Sequence, residues 1–231
     1  MEQASPRRPD RHDQHDGLAY TLWLPDSIAP AQARGRHSRG APPPPWPGVV
    51  VVHGAGSCKE NHADFARLAA ANGWAALVFD QRGHGASEGE MGPDALGDVT
   101  SVARLLATTS GVDPGRIALR GSSMGGFIAI HAAAGDPAIA GVIAVCPAGE
   151  EHLAQGLRRG ELEMRVGDPV ATELWLTDSD LGEAVERLSG RPLFLMHAEG
   201  DDEIPAAHSE ELFDRAGEPR RLLLVPGGDH H

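Results

Sequence analysis

The stretch Gly121-Ser122-Ser123-Met124-Gly125 constrains the fold of this chain more than any other feature. A short apolar run precedes it (residues 116–120), and a stretch of small residues with helical character follows it (residues 126–134). In that context the pattern G-x-S-x-G predicts a strand, a sharp turn and a helix. The flanking glycines leave room for a strained backbone, in which the Ser123 hydroxyl would stand above the sheet near the positive end of the helix. Such a turn is suited to presenting a nucleophile.

The rest of the chain alternates short apolar runs with longer amphipathic stretches. Strands are predicted at residues 49–52, 74–79, 116–120, 139–145, 192–197 and 221–225, and helices at 61–72, 94–109, the stretch after Ser123 and 206–216. The first strand is a run of four valines, which suits a strand that is buried on both faces. This alternation predicts an α/β fold with a mainly parallel sheet and helices on both faces. A chain of 231 residues can bury one such core.

Several segments fall outside this alternation. Residues 1–16 are polar and are predicted to be a disordered tail, and residues 17–25 alternate in polarity like an edge strand. Residues 26–47 are predicted to be a proline-rich loop, so that a single domain covers residues 17–231. Residues 148–190 are too polar for a core strand. They are predicted to form either a small cap over the site or an ordinary long connection.

Composition narrows the partners and the compartment. The formal net charge of −13 disfavours nucleic acid and anionic membrane surfaces as partners. No apolar stretch reaches the roughly 18 residues of a membrane span, and we see no secretory signal. The two cysteines, Cys58 and Cys146, complete the pattern of a reduced, cytoplasmic protein.

A serine nucleophile needs a base that takes its proton and an acid that orients the base. Asp201 follows the predicted strand at 192–197, and His230 follows the last predicted strand. Because functional residues of open α/β sheets gather at the carboxyl ends of the strands, we expect Ser123, Asp201 and His230 to meet there.

Each of these candidates has a rival of the same type beside it. Ser122, Asp202 and His231 are the neighbours, and the spacing to Ile204-Pro205 favours Asp201 over Asp202. A more distant alternative for the acid is the pair Glu150 and Glu151, which follows the predicted strand at 139–145.

Five motifs in a fixed order resemble those of the α/β-hydrolase superfamily, particularly its small esterase-like, serine-aminopeptidase-like and dienelactone-hydrolase-like members. The resemblance covers roughly residue 17 to the end of the chain. Besides the serine pentapeptide, the motifs are His53-Gly54-Ala55-Gly56 (H-G-x-G), residues 80–87 (D-x-R-G-x-G-x-S), residues 201–205 (D-x-x-V-P) and Gly228-Asp229-His230 (G-x-H). One such motif is weak support, but five in order are strong.

The resemblance implies acyl transfer through a catalytic triad. Ser123 would attack a carbonyl carbon, His230 would accept and return the proton, and Asp201 would hold the imidazole in one tautomer. The backbone N–H groups of Ala55 and Met124 would form the oxyanion hole. The implied substrate is a small or medium acyl ester, and no metal or organic cofactor is required. An aminopeptidase or amidase, a thioesterase, and a binding protein that has lost catalysis are the alternatives.

The resemblance also assigns structural roles to several conspicuous side chains. In such proteins histidines at the positions of His53 and His84 more often hold loops than catalyse, and His197 occupies a similar position. Arg82 is expected to brace its loop. Relatives normally continue past the base with a final helix, whereas this sequence ends at His231, so we expect that helix to be absent.

Overall fold

A computed structural model describes residues 7–25 and 44–230. Within these residues, eight strands form one sheet in the spatial order β1-β2-β4-β3-β5-β6-β7-β8. The strands are β1 (Arg11–His15), β2 (Leu18–Trp23), β3 (Trp46–Val52), β4 (Ala75–Phe79), β5 (Val112–Ser122), β6 (Ile139–Val145), β7 (Leu193–Ala198) and β8 (Arg220–Val225). The helices are α1 (Ala63–Ala71), α2 (Ala95–Ala107), α3 (Met124–Gly135), α4 (Glu150–Arg159), α5 (Pro169–Thr177), α6 (Leu181–Arg187) and α7 (Ala206–Arg215). A short 3₁₀ helix, Lys59–His62, precedes α1.

The six strands from β3 to β8 run parallel, and β1 and β2 join them antiparallel. Alternate valines of β3 point to opposite faces of the sheet. Val49 and Val51 pack with Ala66 of α1 on one face, and Val50 and Val52 belong to the larger core on the other, which includes residues of α2 and α3. Helices therefore cover both faces, and the predicted α/β fold is confirmed.

The N-terminal region corrects two predictions. Residues 11–15, which the sequence assigns to a disordered tail, form β1. The segment predicted as an edge strand at 17–25 contains β2, which is an interior strand because it pairs with β1 on one side and with β4 on the other. The side chains of β1 are mostly exposed, so no apolar pattern marks it. Its pairing depends on backbone hydrogen bonds and on the turn Asp16-Gly17, where both residues have positive φ (51° and 78°). Asp-Gly is a strong signal for a two-residue hairpin, and it was the clue in the sequence.

Two predicted segments lie partly outside the described residues. Residues 1–6 of the tail and 26–43 of the proline-rich loop are not described. The end of that loop is described, and it corrects the predicted boundary, because β3 already begins at Trp46.

Residues 148–190 contain three helices. α6 packs on α3 and α7 and is part of the main body, whereas α4 packs on α5. The loop between α4 and α5 is tied to the loops that follow β3 and β4: the Gly56 amide donates to the Glu163 carbonyl (3.1 Å), and the Arg165 amide to the Gly83 carbonyl (3.0 Å). This half of the segment therefore lies at the carboxyl edge of the sheet. Its action as a cap over a substrate stays a prediction.

Across the described ranges, we find no helix that has both the length and the apolar character needed to cross a membrane.

Candidate active site

Ser123 occupies a strained turn between the end of β5 and the start of α3. Its φ is 52° and its ψ −124°, a conformation that is unfavourable for a residue with a side chain. The turn is compact because glycines flank it. A Cβ on Gly121 would overlap the Gly125 carbonyl, and a Cβ on Gly125 would overlap the Val52 and His53 carbonyl oxygens. The close packing of β3 against α3 thus fixes the Ser123 backbone.

The three side chains predicted to act together are within hydrogen-bond distance in the expected order. His230 Nε2 lies 3.0 Å from Ser123 Oγ, and His230 Nδ1 lies 2.7 Å from Asp201 Oδ2. A carboxylate only accepts hydrogen bonds, so the Nδ1 proton faces Asp201 and Nε2 is left as an acceptor for the Ser123 hydroxyl. This is the arrangement in which an imidazole can take a proton from serine.

Asp201 is itself held by the loop that follows β7. Its Oδ1 accepts hydrogen bonds from the amides of Ile204 (2.8 Å) and Glu203 (3.0 Å). Burial alone would raise the pKa of Asp201, but the Ile204 amide and the His230 side chain stabilise the carboxylate and bring the pKa below its ordinary value. Asp201 is therefore ionised at neutral pH. The buried thiol of Cys146 is beside it, and burial raises the pKa of that thiol to about 11, which keeps it protonated.

The rival residues occupy other environments. Asp202 is exposed, and Glu151 accepts a hydrogen bond from Gln155 one helical turn along α4. Ser122 is the last residue of β5 and also lines the cavity described below. His231 lies outside the described residues.

The two predicted oxyanion donors flank Ser123. Met124 is the first residue of α3, and Ala55 follows Gly54 in the loop after β3. That loop abuts the serine, because a Cβ on Gly54 would lie 3.2 Å from Ser123 Cβ. In the portion of the chain that the structure describes, neither amide N–H donates a hydrogen bond to a protein acceptor. Both are thus available to a bound group.

A cavity of about 740 Å³ opens at Ser123 and His230. Residues of α4 and the loop after it form part of its wall, including His152, Leu153 and Leu162. The sequence motifs do not predict most of its polar lining, because these residues lie outside the motifs or, in the case of Glu203, at a variable position of one. They are Ser57, Asn61, His62, Arg120, His152, Glu161, Glu163 and Glu203.

The other conspicuous histidines hold loops in place, as expected. His53 is fully buried; its Nδ1 lies 2.7 Å from the Gly54 carbonyl, and its Nε2 accepts from the Gln81 amide (3.0 Å). Burial lowers the pKa of His53 to about 4, so it is neutral at pH 7. His197 lies 2.8 Å from the Ile204 carbonyl and so braces the loop that carries Asp201.

The loop after β4 is braced by two ion pairs. Arg82 pairs with Asp98 of α2, as predicted for a bracing residue. Asp80 pairs with Lys59 at 2.7 Å and accepts from the Ala86 amide, which joins the loops after β3 and β4. The sequence predicts no structural role for Lys59, the sole lysine of the chain.

One group of possible metal ligands within the described ranges coincides with this site. Donor atoms of Cys146, Asp201 and His230 lie within 4.8 Å of one another. The hydrogen bonds of Asp201 and His230 to each other and to Ser123 already use these atoms. The set therefore fits a proton relay better than a metal centre.

A mainly parallel sheet that carries a strained serine turn, with an acid and a histidine at later strand ends, defines an α/β hydrolase. A family model described as serine aminopeptidase, S33, matches residues 43–189. The chain belongs to this family, and the resemblance to α/β hydrolases is confirmed.

The chain is also similar to individual proteins and to solved structures. YfhR of Escherichia coli O157:H7 is 29% identical over 192 residues, which cover 79% of this chain and 62% of YfhR. The chain thus spans less than two thirds of the length of that relative. Among solved structures, the α/β hydrolase GrgF from Penicillium sp. sh18 has a TM-score of 0.72 at 20% identity, covering 92% of this chain and 86% of GrgF. Est1E from Butyrivibrio proteoclasticus has a TM-score of 0.71 at 18% identity, with 96% and 90% covered. At these identities the likeness to the solved structures shows the fold alone.

Proposed function

We propose that this protein is a serine hydrolase that cleaves carboxylic esters of small to medium acyl chains. One observation carries the proposal: His230 bridges Ser123 Oγ (3.0 Å) and Asp201 Oδ2 (2.7 Å) through its two ring nitrogens. An isolated serine hydroxyl is a weak nucleophile, and this geometry gives it a base and the base an orienting acid.

The reaction has two stages. Ser123 Oγ attacks the ester carbonyl carbon while its proton passes to His230 Nε2, and the imidazolium formed is stabilised by the Asp201 carboxylate. His230 then returns the proton to the departing alcohol, which leaves an acyl-enzyme on Ser123. Water, activated by His230 in the same way, releases the acid and restores the serine.

The amides of Ala55 and Met124 are suited to stabilise the negative charge that develops on the carbonyl oxygen. They come from two different elements on either side of Ser123, and α3 points its positive end at the same place. Loss of one such donor costs about 3 kcal/mol of transition-state stabilisation in comparable sites.

The cavity supports a small-molecule substrate. Its volume of about 740 Å³ lies in the range of pockets that hold small ligands. Esters are favoured over peptides because the alcohol leaving group requires less assistance than an amine.

The test is the turnover of p-nitrophenyl esters of increasing acyl length, together with thioesters and aminoacyl amides. We expect wild type to hydrolyse a subset of the esters, Ser123→Ala to lose at least about 10³-fold in kcat/KM, and Ser122→Ala to stay within a few fold of wild type. Full activity in Ser123→Ala would contradict the proposal, and an inactive wild type would favour a binding protein that has lost catalysis.

A second candidate, cleavage of amides next to a free amino terminus, is favoured by the carboxylates of Glu161, Glu163 and Glu203, which line the same cavity. Such groups could pair with an ammonium ion. Faster turnover of aminoacyl amides than of matched esters would support this candidate over the first.

A further inference from the structure

Arg120 brings a positive charge into the cavity that contains Ser123. It is the third residue before the serine, near the end of β5, and it lines the same cavity. The side chain is half-buried. Across residues 7–25 and 44–230, we find no ion pair between its guanidinium and a carboxylate.

The neighbours of Arg120 orient the guanidinium but do not neutralise it. Its Cζ lies 4.9 Å from the centre of the Phe65 ring, and its Nη1 lies 3.3 Å from His62 Nδ1. Burial, followed by the nearby Arg120 charge, lowers the pKa of His62 to about 4, so His62 is neutral and accepts a hydrogen bond. Burial also lowers the pKa of Arg120, but a guanidinium stays protonated at neutral pH.

A short chain of hydrogen bonds fixes this wall of the cavity. Because His62 Nδ1 accepts from Arg120, its proton is on Nε2, which lies 3.4 Å from Ser57 Oγ. Asn61 Nδ2 donates to the same oxygen at 3.2 Å. With two donors aimed at its oxygen, Ser57 is left to donate its own proton elsewhere, and Ser57 lines the cavity too.

A partly desolvated cation without a counter-charge is costly to keep, so a site that retains one is suited to receive an anion. A guanidinium has five N–H donors in a planar fork that matches the two oxygens of a carboxylate. Here the guanidinium lies over the Phe65 ring and one of its donors is held by His62, which reduces the freedom lost when a ligand binds.

We propose that Arg120, held by His62, binds a carboxylate of the substrate, so that this protein prefers esters that carry a free carboxylate over neutral esters of the same shape. The inference rests on the proposed ester hydrolysis. It deepens that proposal by naming the substrate class and the residue that selects it.

The acidic residues of the cavity do not cancel this effect. The side chains of Glu161, Glu163 and Glu203 are exposed, where water and salt screen their charge, whereas Arg120 is half-buried.

The test compares esters that differ only by a carboxylate or a carboxamide. On the alcohol side the pair is 4-acetoxybenzoate and 4-acetoxybenzamide, and on the acyl side it is mono-p-nitrophenyl adipate and its adipamide counterpart. In wild type we expect kcat/KM to be about 10- to 100-fold higher for the acid of at least one pair, as one charge-assisted hydrogen bond provides. The difference should lie mainly in KM, since the carboxylate is bound in the ground state.

The ratio of kcat/KM for the carboxylate ester to kcat/KM for the carboxamide ester should fall to about one in Arg120→Met. In Arg120→Lys this ratio should be partly kept. Arg104→Met is the matched control: it removes the same charge from an exposed arginine of α2, and it should leave the ratio unchanged. Because both esters are measured on one preparation, the ratio does not depend on the folded fraction of a variant.

Each outcome decides one proposal. A wild-type ratio of one or below in both pairs overturns the role of Arg120 even if no variant folds, and so does a ratio that survives in Arg120→Met. In both cases turnover of the neutral esters would leave the proposed ester hydrolysis standing. If no ester of either kind is hydrolysed, the proposed function itself fails, and the inference fails with it.

Discussion

Ser123 and His230, the nucleophile and the base of the proposed triad, are held in position in different ways. Ser123 is enclosed by β5 and α3, and neighbouring carbonyl groups leave no space for a side chain at Gly121 or Gly125. His230 follows β8, an edge strand whose residues are alternately half-buried and exposed, and the space around Gly227 in its loop is open. The nucleophile is thus fixed by the packing of its own backbone, whereas the side chain of the base is buried at the end of an edge-strand loop and is oriented by its hydrogen bonds to Asp201 and Ser123.

This difference predicts which property, stability or turnover, is lost when the surroundings of each residue are changed. Packing that determines a strained backbone cannot be lost without loss of the fold around it. Hydrogen bonds that orient one side chain can be lost while the fold persists. Substitutions of the glycines that enclose Ser123 should therefore act on stability, and substitutions that release His230 from its hydrogen bonds should act on turnover.

The largest expected effect is on turnover at the histidine end. Asp201→Asn keeps an oxygen for the Ile204 and Glu203 amides but no longer holds His230 in the productive tautomer, so kcat should fall about 10⁴-fold. The free energy of unfolding should change by only about 1–2 kcal/mol. Ester turnover and urea unfolding check this. Asp202→Asn, at an exposed neighbour, is the matched control and should remain active.

The next effect is on stability at the serine end. Gly125→Ala places a Cβ against the Val52 and His53 carbonyl oxygens, and we expect a loss of at least about 4 kcal/mol or failure to fold. Gly227→Ala has room for its methyl group and meets only the cost of a positive φ (69°), about 1–2 kcal/mol. Urea unfolding of the two variants measures the contrast. Equal losses would show that the two regions are held alike.

A smaller effect concerns the stability of the fold at acidic pH. His131 of α3 is packed against Phe127, with the ring centres 4.5 Å apart. Its Nε2 is buried and has no hydrogen-bond partner among residues 7–25 and 44–230, and burial lowers its pKa to about 4. An unfolded chain takes up this proton near the ordinary value of 6.5, so the unfolded state binds more protons between those two values. Stability should therefore fall as the pH drops from about 6.5 to 4.

His131→Leu removes this contribution, which amounts to about 3 kcal/mol at most. The variant should equal or exceed wild type in stability at pH 7 and lose less of it on acidification. Unfolding curves at pH 7 and pH 4.5 measure the difference. Parallel losses in both proteins would contradict the assignment of this acid sensitivity to the helix that carries the serine turn.

The interior strands could be predicted from the sequence because buried strands require runs of apolar residues. The four valines of β3 and the apolar runs of β4 and β6 predict strands, since a strand covered on both faces needs apolar side chains throughout. β1 contains no apolar run. Its residues are polar and exposed, and it is defined by backbone pairing and a hairpin turn.

The same contrast applies to the site. Motifs at strand ends point to Ser123, Asp201 and His230, because a turn that presents a nucleophile and a loop that holds a carboxylate each need particular residues at fixed spacing. Their catalytic roles stay predictions. Arg120 could not be recognised, because a charged residue near the end of a strand looks the same whether it faces solvent or a cavity. Only the fold brings it beside His62 and Phe65.

The most direct test of the account is covalent labelling by a fluorophosphonate, with the modified residue identified by mass spectrometry. The reagent reacts with a serine that a base has activated and that lies beside an oxyanion hole. We expect one adduct per chain, at Ser123, which is retained in Ser122→Ala and lost in Ser123→Ala. A folded wild type that is not labelled, or an adduct that persists in Ser123→Ala, would contradict the assignment of Ser123 as the nucleophile.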